Sequence, residues 1–279
     1  MAASTVGWDA DAGSALVVPG PDGGALLVTP GLADAAGVDT ARAAASPALP
    51  AQVVLFAERG LVGSARATMA GEACAGWPRV RVGPTSGADA LPEWKVGFAA
   101  APNAEPPTAL PLDSMDALAG PDSAALAAAL TRLAAALPAP TGVSAATRTA
   151  LRGVPFRVRR ARGFSPDART RAVVAVLTRT MNQEASPAAD AVLLVAERPA
   201  SAGAERWRTA YSERAAGHEE TLPAVDVLAA VRLDGVGEPR AALVVAREDD
   251  AGVRYGLLER VERGEWKARW TSARVGCGS

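Results

Sequence analysis

The sequence is poor in the side chains that most often carry out chemistry. Its 279 residues include one histidine, His218, and two cysteines, Cys74 and Cys277. Lys95 and Lys267 are the only lysines, so arginine supplies almost all of the 29 positive charges. Aromatic residues amount to 4%. Each scarcity removes a class of function. A serine hydrolase would need His218 as its base, and no GxSxG elbow accompanies it. His218-Glu219-Glu220 has no second histidine four positions on, so it is not a zinc-protease helix. His218 follows Gly217 between strands and is read as a solvated loop histidine. Two sulfurs outside any CxxC pair and one imidazole make a poor zinc set. No GxxxxGK[ST] or GxGxxG loop is present to cradle a nucleotide phosphate. No catalytic residue, metal or cofactor is expected.

Long apolar runs are also missing. No segment reaches the roughly 18 residues that a membrane-spanning helix needs. The first eight residues, Met1 to Trp8, carry neither a basic start nor an apolar core and are not read as a signal peptide. The extracytoplasmic location expected below supposes a leader removed beforehand. Cys74 and Cys277 leave two alternatives open: two free thiols, or one disulfide tethering the C-terminal end to the N-terminal half. The second would imply an oxidising compartment, and the expected location leans extracytoplasmic, periplasmic or secreted.

What is present is alternation. Val225, Val227, Ala229, Val231 and Leu233 recur at every second position. Asp234-Gly235-Val236-Gly237-Glu238-Pro239 is a turn, and Ala241–Ala246 a continuous apolar run. Glu248–Gly252 turns the chain into Val253, Tyr255 and Leu257. Glu262-Arg263-Gly264 turns it again into Trp266, Ala268 and Trp270. Period two bounded by Gly, Asp and Pro predicts four antiparallel strands. Val154–Phe164, Arg171–Thr180, Asp190–Glu197 and Arg206–Ser212 read as four more. In the first half, hairpins are expected over Ser14–Thr29 and Gln52–Met69, with an edge strand over Arg79–Val82 and a strand over Trp94–Phe98. A short helix near Val38–Ala45 is also expected. Residues 100–113, rich in proline, read as an extended linker or a surface loop.

The principal helix is expected over Ser123–Leu137, capped by Asp122 or Ser123 and stopped by Pro138. Leu126, Leu130, Leu133 and Leu137 fall at i, i+4, i+7 and i+11, one narrow stripe suited to docking on the protein's own sheet. The resulting fold class is mainly β: antiparallel meanders in two lobes joined by one amphipathic helix. The division is a β-rich lobe over 1–113, helix and linker over 114–153, and a meander lobe over 154–279.

Charge is uneven. Residues 1–140 hold 13 acids and 7 bases, and residues 141–279 hold 17 and 22. The net charge of −1 argues against a dedicated polyanion binder, and no nucleic-acid partner is expected. Arg157, Arg159, Arg160 and Arg162 form a basic run between Phe156 and Phe164. Strict alternation puts Arg157 and Arg159 on one face and Arg160 and Arg162 on the other, with no one-sided stripe.

The second half reads as one pattern stated twice. Ala175-Val176, Ala191–Glu197 and Trp207–Ser212 are matched by Ala230-Val231, Ala241–Arg247 and Trp266–Thr271. A repeated four-strand unit is the size of a β-propeller blade, so a true duplication predicts a propeller-like C-terminal lobe. The other reading is two unrelated meanders rich in Ala and Val. Leu233–Pro239 followed by Leu243-Val244-Val245 resembles the FG-GAP or VCBS type of propeller repeat. The resemblance implies a scaffold or adhesion module of secreted proteins. Such loops often hold calcium, but here only Asp234 and Glu238 could serve, far short of six to eight oxygens.

The function expected is therefore a non-catalytic binding or structural protein of the cell envelope or secreted, with a protein or glycan partner. The alternative is a carboxylate-dependent hydrolase of a polysaccharide-like polymer in a cleft between the lobes, with Trp8, Trp77 and Trp94 as platforms. Its candidate acids, Glu219/Glu220 and Asp249/Asp250, are adjacent pairs in turns, a pattern typical of solvation.

Overall fold

The computed structural model describes residues 16–20, 24–28, 52–72, 78–85, 91–99, 106–115, 118–181, 187–202, 206–233, 239–272 and 274–275. Cys74, Cys277, Trp8, Trp77, the expected helix near Val38–Ala45 and the Asp234–Glu238 loop lie outside them. The described chain is mainly β and antiparallel, as the alternation predicts. It forms two compact units that are not collinear with the sequence: unit 1 comprises Met1–Pro111, Asp226–Arg260 and Lys267–Ser279, and unit 2 Leu112–Val225 and Val261–Trp266.

Unit 1 holds a closed six-stranded barrel. Its strands are β1 (Leu16–Pro19), β2 (Ala25–Val28), β3 (Gln52–Ala57), β4 (Gly60–Glu72), β5 (Pro78–Pro84) and β6 (Val96–Ala99). The spatial order is β1-β2-β5-β4-β3-β6, closed by β6 on β1. Closure corrects the expectation of an edge strand over Arg79–Val82: β5 is paired on both sides, with β2 and with β4. Small aliphatic residues make so tight a ring possible. Val17, Leu27, Val53, Leu55, Ala65, Ala67 and Val80 fill the interior. Gly97 lies opposite both Val17 and Leu55, and a Cβ there would come within 2.9 Å of a Leu55 methyl. Gly71, at φ +103°, sits where the β4–β5 register slips, a backbone state open mainly to glycine.

The opposite faces of the barrel strands turn outward. Leu16, Val18, Leu26, Val28, Val54, Phe56, Val96 and Phe98 join one core with Leu228, Val231, Val244, Leu257 and Trp270. Those five come from a sheet of β13 (Ala224–Leu233), β14 (Arg240–Asp249), β15 (Gly252–Val261) and β16 (Glu265–Thr271), the expected meander. A two-residue strand, β7 (Thr108–Ala109), extends it on the β13 side, within the stretch read as linker or surface loop.

Unit 2 is built on β9 (Arg157–Asp167), β10 (Thr170–Met181), β11 (Ala188–Pro199) and β12 (Arg208–His218), with β8 (Asp113–Ser114) beside β9. Helix α1 (Gly120–Ala136) covers one face of this sheet. Leu126 and Leu130 are buried against Phe156, Val173, Leu177, Val192 and Leu194, with Leu133 and Leu137 partly so. Each buried leucine contributes about 1.5–3 kcal/mol relative to exposure. The helix starts earlier than expected. Its cap is Ala119, without a side-chain bond, and Pro121 lies inside the first turn, where its missing N–H is not needed. A second helix, α2 (Ala145–Ala150), lies in the 114–153 segment beyond the expected helix, where linker was expected; it is capped by Ser144, whose Oγ accepts the Thr147 N–H at 3.0 Å. No helix among the described residues is long and apolar enough to cross a membrane.

Candidate functional site: an arginine-walled hollow in unit 2

Strand register decides which side chains meet. Arg179 on β10 lies directly opposite Asp190 on β11, and Arg214 on β12 lies one diagonal step away, opposite Val192. Cross-strand neighbours at these positions share a face, here the face that carries the helices. Asp190 is 1% exposed. Arg214 grips it with two parallel bonds, Nε to Oδ1 at 3.0 Å and Nη2 to Oδ2 at 2.7 Å. Arg179 adds Nε and Nη2 to Oδ2 at 2.9 and 2.8 Å. Both guanidinium groups stack on the Phe156 ring, at 4.7 and 5.3 Å from its centroid.

The arginines then reach beyond the carboxylate. Arg214 Nη1 donates to the carbonyls of Leu137 and Pro138, just past α1. Arg179 Nη1 donates to those of Leu151 and Val154, just past α2. One buried acid thus orients two cations that hold the ends of both helices onto the sheet.

A hollow of about 290 Å³ opens over this cluster. Arg179, Asp190 and Arg214 line it with Arg148 of α2 and Arg152 just after it; Ala139, Pro140, Val143 and Leu151 add apolar surface. A larger hollow of about 550 Å³ lies on the other side of α2, lined mostly by Ala, Ser and Thr, with His218 at its edge. His218 is exposed at the end of β12. The smaller hollow holds the concentration of charge.

Two further carboxylates are buried among the described residues. Glu197, 1% exposed, accepts the Trp266 indole N–H at 2.7 Å and meets Arg208 at 3.6 Å. Glu259, 2% exposed, lies 2.9 Å from Arg240 Nη1 and 2.9 Å from Arg269 Nε. The Arg269 approach has no aligned N–H, so Oε2 is held by charge rather than by a hydrogen bond. The acids singled out by sequence fall elsewhere. Glu219 and Glu220 are exposed in a short 3-10 turn. Asp249 accepts the Ala251 N–H and pairs with Arg274, and Asp250 is exposed. Trp94 is half-buried against the barrel core.

The arginine run of β9 also departs from expectation. A β-bulge leaves Arg159 without a partner residue, because Arg160 pairs with Val176 and Val158 with Leu177. Arg157, Arg160 and Arg162 therefore oppose Thr178, Val176 and Val174, all on one face. Arg159 bonds Thr178 Oγ1 on that same face at 2.8 Å. The one-sided stripe excluded by strict alternation does form, away from α1, and Arg160 and Arg162 have partners of their own.

Sequence reasoning missed the Asp190 cluster, although a signal exists. Asp190 interrupts the apolar run Ala188–Val195, and Glu259 directly follows Leu257-Leu258. A lone acid inside a buried strand must find a cation. No protein-family model matches the chain, and neither the curated proteins nor the solved structures contain a match to it.

Proposed function

We propose that this chain is a non-catalytic binding or structural protein whose partner is a protein or a glycan. The observation that carries the reading is the use made of the buried carboxylates. Asp190, Glu197 and Glu259 each face arginine or indole donors at 2.7–3.6 Å. An acid so engaged has its oxygens turned to fixed partners and its side chain immobilised, which suits architecture rather than contact with a substrate. Asp190 and Glu197 are also far apart. Seven residues along one strand correspond to about 23 Å, and odd spacing puts them on opposite faces. Glycosidase pairs need carboxyl groups within about 5–9.5 Å.

The test is affinity electrophoresis of the full chain through gels containing soluble neutral and acidic polysaccharides, with a reducing-end assay on the same mixtures. Retardation without new reducing ends is the expected result. Release of reducing ends by the purified parent chain would return the assignment to a carboxylate-dependent hydrolase.

A further inference from the structure

We infer that the hollow beside α2 binds a small organic acid: a compact apolar body carrying one carboxylate or phosphate group. The inference goes beyond the binding reading above: it adds a small-molecule site to a protein whose proposed partner is a protein or a glycan.

The argument begins with a charge imbalance. Two guanidinium groups lie on the floor, with side chains only 20% and 10% exposed for Arg179 and Arg214, and they share the single carboxylate of Asp190. Asp190 balances one of the two charges. Among the described residues the other faces only dipoles: four carbonyl oxygens and the face of Phe156. Those groups orient a guanidinium but carry no formal charge. A net positive charge therefore stays on the floor, and partial burial screens it less than a surface charge. The rim adds charge of the same sign. Arg148 and Arg152 are exposed and have no ion-pair partner among the described residues. Among the described residues, the lining contains no acid besides Asp190.

Donor accounting agrees with this. A guanidinium offers five N–H groups in a rigid fork. On Arg179 and on Arg214 the bonds to Asp190 and to the carbonyls use four, leaving one Nη2 hydrogen each. Those two donors are held in fixed planes, so ordering them for an incoming oxyanion costs little. Arg148 and Arg152 can close on the same anion from the mouth. Ala139, Pro140, Val143 and Leu151 supply apolar wall, and about 290 Å³ is at the small end of ligand sites. One oxyanion group on a compact apolar body matches both the charge and the volume.

The experiment is isothermal titration of the full chain, in a low-chloride buffer, with benzoate, phenyl phosphate and neutral benzyl alcohol. We expect saturable binding of at least one of the two acids, none of the alcohol, and weakening as ionic strength rises. Binding of benzoate alone assigns a carboxylate ligand, and of phenyl phosphate alone a phosphate ligand. The double variant Arg148→Gln, Arg152→Gln changes only exposed side chains. It should keep the parent melting temperature and weaken the acid by about tenfold or more, as loss of two charge-assisted contacts implies. Three results would overturn the site: neither acid saturates, the alcohol binds as well as the acids, or the double variant binds like the parent. None of these touches the broader binding reading, which fails instead on turnover in the reducing-end assay.

Discussion

Asp190 in unit 2 and Glu259 in unit 1 are almost equally buried, at 1% and 2% exposure, and each meets two arginines within its own meander. Their arginines differ. Those of Asp190 are 20% and 10% exposed and extend to carbonyls at the ends of two helices. Those of Glu259 are 29% and 43% exposed, on the flanking strands β14 and β16. Burial of the acid alone thus says little about its role. What matters is whether the cations can return to water when the acid is lost.

The largest effect should come from breaking that difference. Asp190→Asn leaves two shielded guanidinium groups uncompensated, which typically costs about 3–5 kcal/mol. Glu259→Gln frees arginines that can rehydrate, with an expected loss of about 1–3 kcal/mol. Denaturant unfolding of both variants measures the gap. Equal losses, or a larger one for Glu259→Gln, would show that cation exposure is not the deciding variable.

A second test contrasts a buried charge with a buried neutral group. Tyr255 in unit 1 has its phenol pushed up to about 12 by burial, with Glu248 adding to the shift. The folded state therefore keeps the proton after the unfolded chain has lost it. Stability from this group is complete below about pH 10 and declines between about pH 10 and 12, by about 3 kcal/mol in total. Tyr255→Phe should flatten that part of the stability–pH curve. An unchanged alkaline slope would mean that the phenol does not cause it.

The smallest effect concerns what anchors α2. Removing the Ser144 cap with Ser144→Ala should cost about 1 kcal/mol, well below the Asp190→Asn loss. If thermal unfolding shows the two losses to be equal, the cap and not Arg179 holds this short helix in place.

Most of the strands were legible because period two survives wherever one face is buried. All four strands of the C-terminal meander fall where Val225 to Trp270 alternate. Barrel closure was not legible, since the pairing of β6 with β1 joins residues about eighty apart and leaves no local mark. Helix α2 was obscured by Pro138, Pro140 and Gly142, although Ser144 offered a cap signal. The candidate site was the least visible part. It depends on three residues, Arg179, Asp190 and Arg214, that only strand register brings together. On β9, the phase break between Val158 and Ala161 was readable: both face α1 although their spacing is odd. Strict alternation overlooked it.

That extra residue in β9 has a bearing on how the chain tolerates changes in length. Elsewhere in a regular ladder, losing one residue transposes everything beyond it to the other face of the sheet. At Arg159 the opposite holds. The ladder already passes from Arg160 to Val158, so a chain shortened by this one residue keeps Phe156 and Val158 turned toward α1 and Arg157 turned away. The bulge makes this point of the strand a natural site for a single-residue deletion among descendants of the sequence.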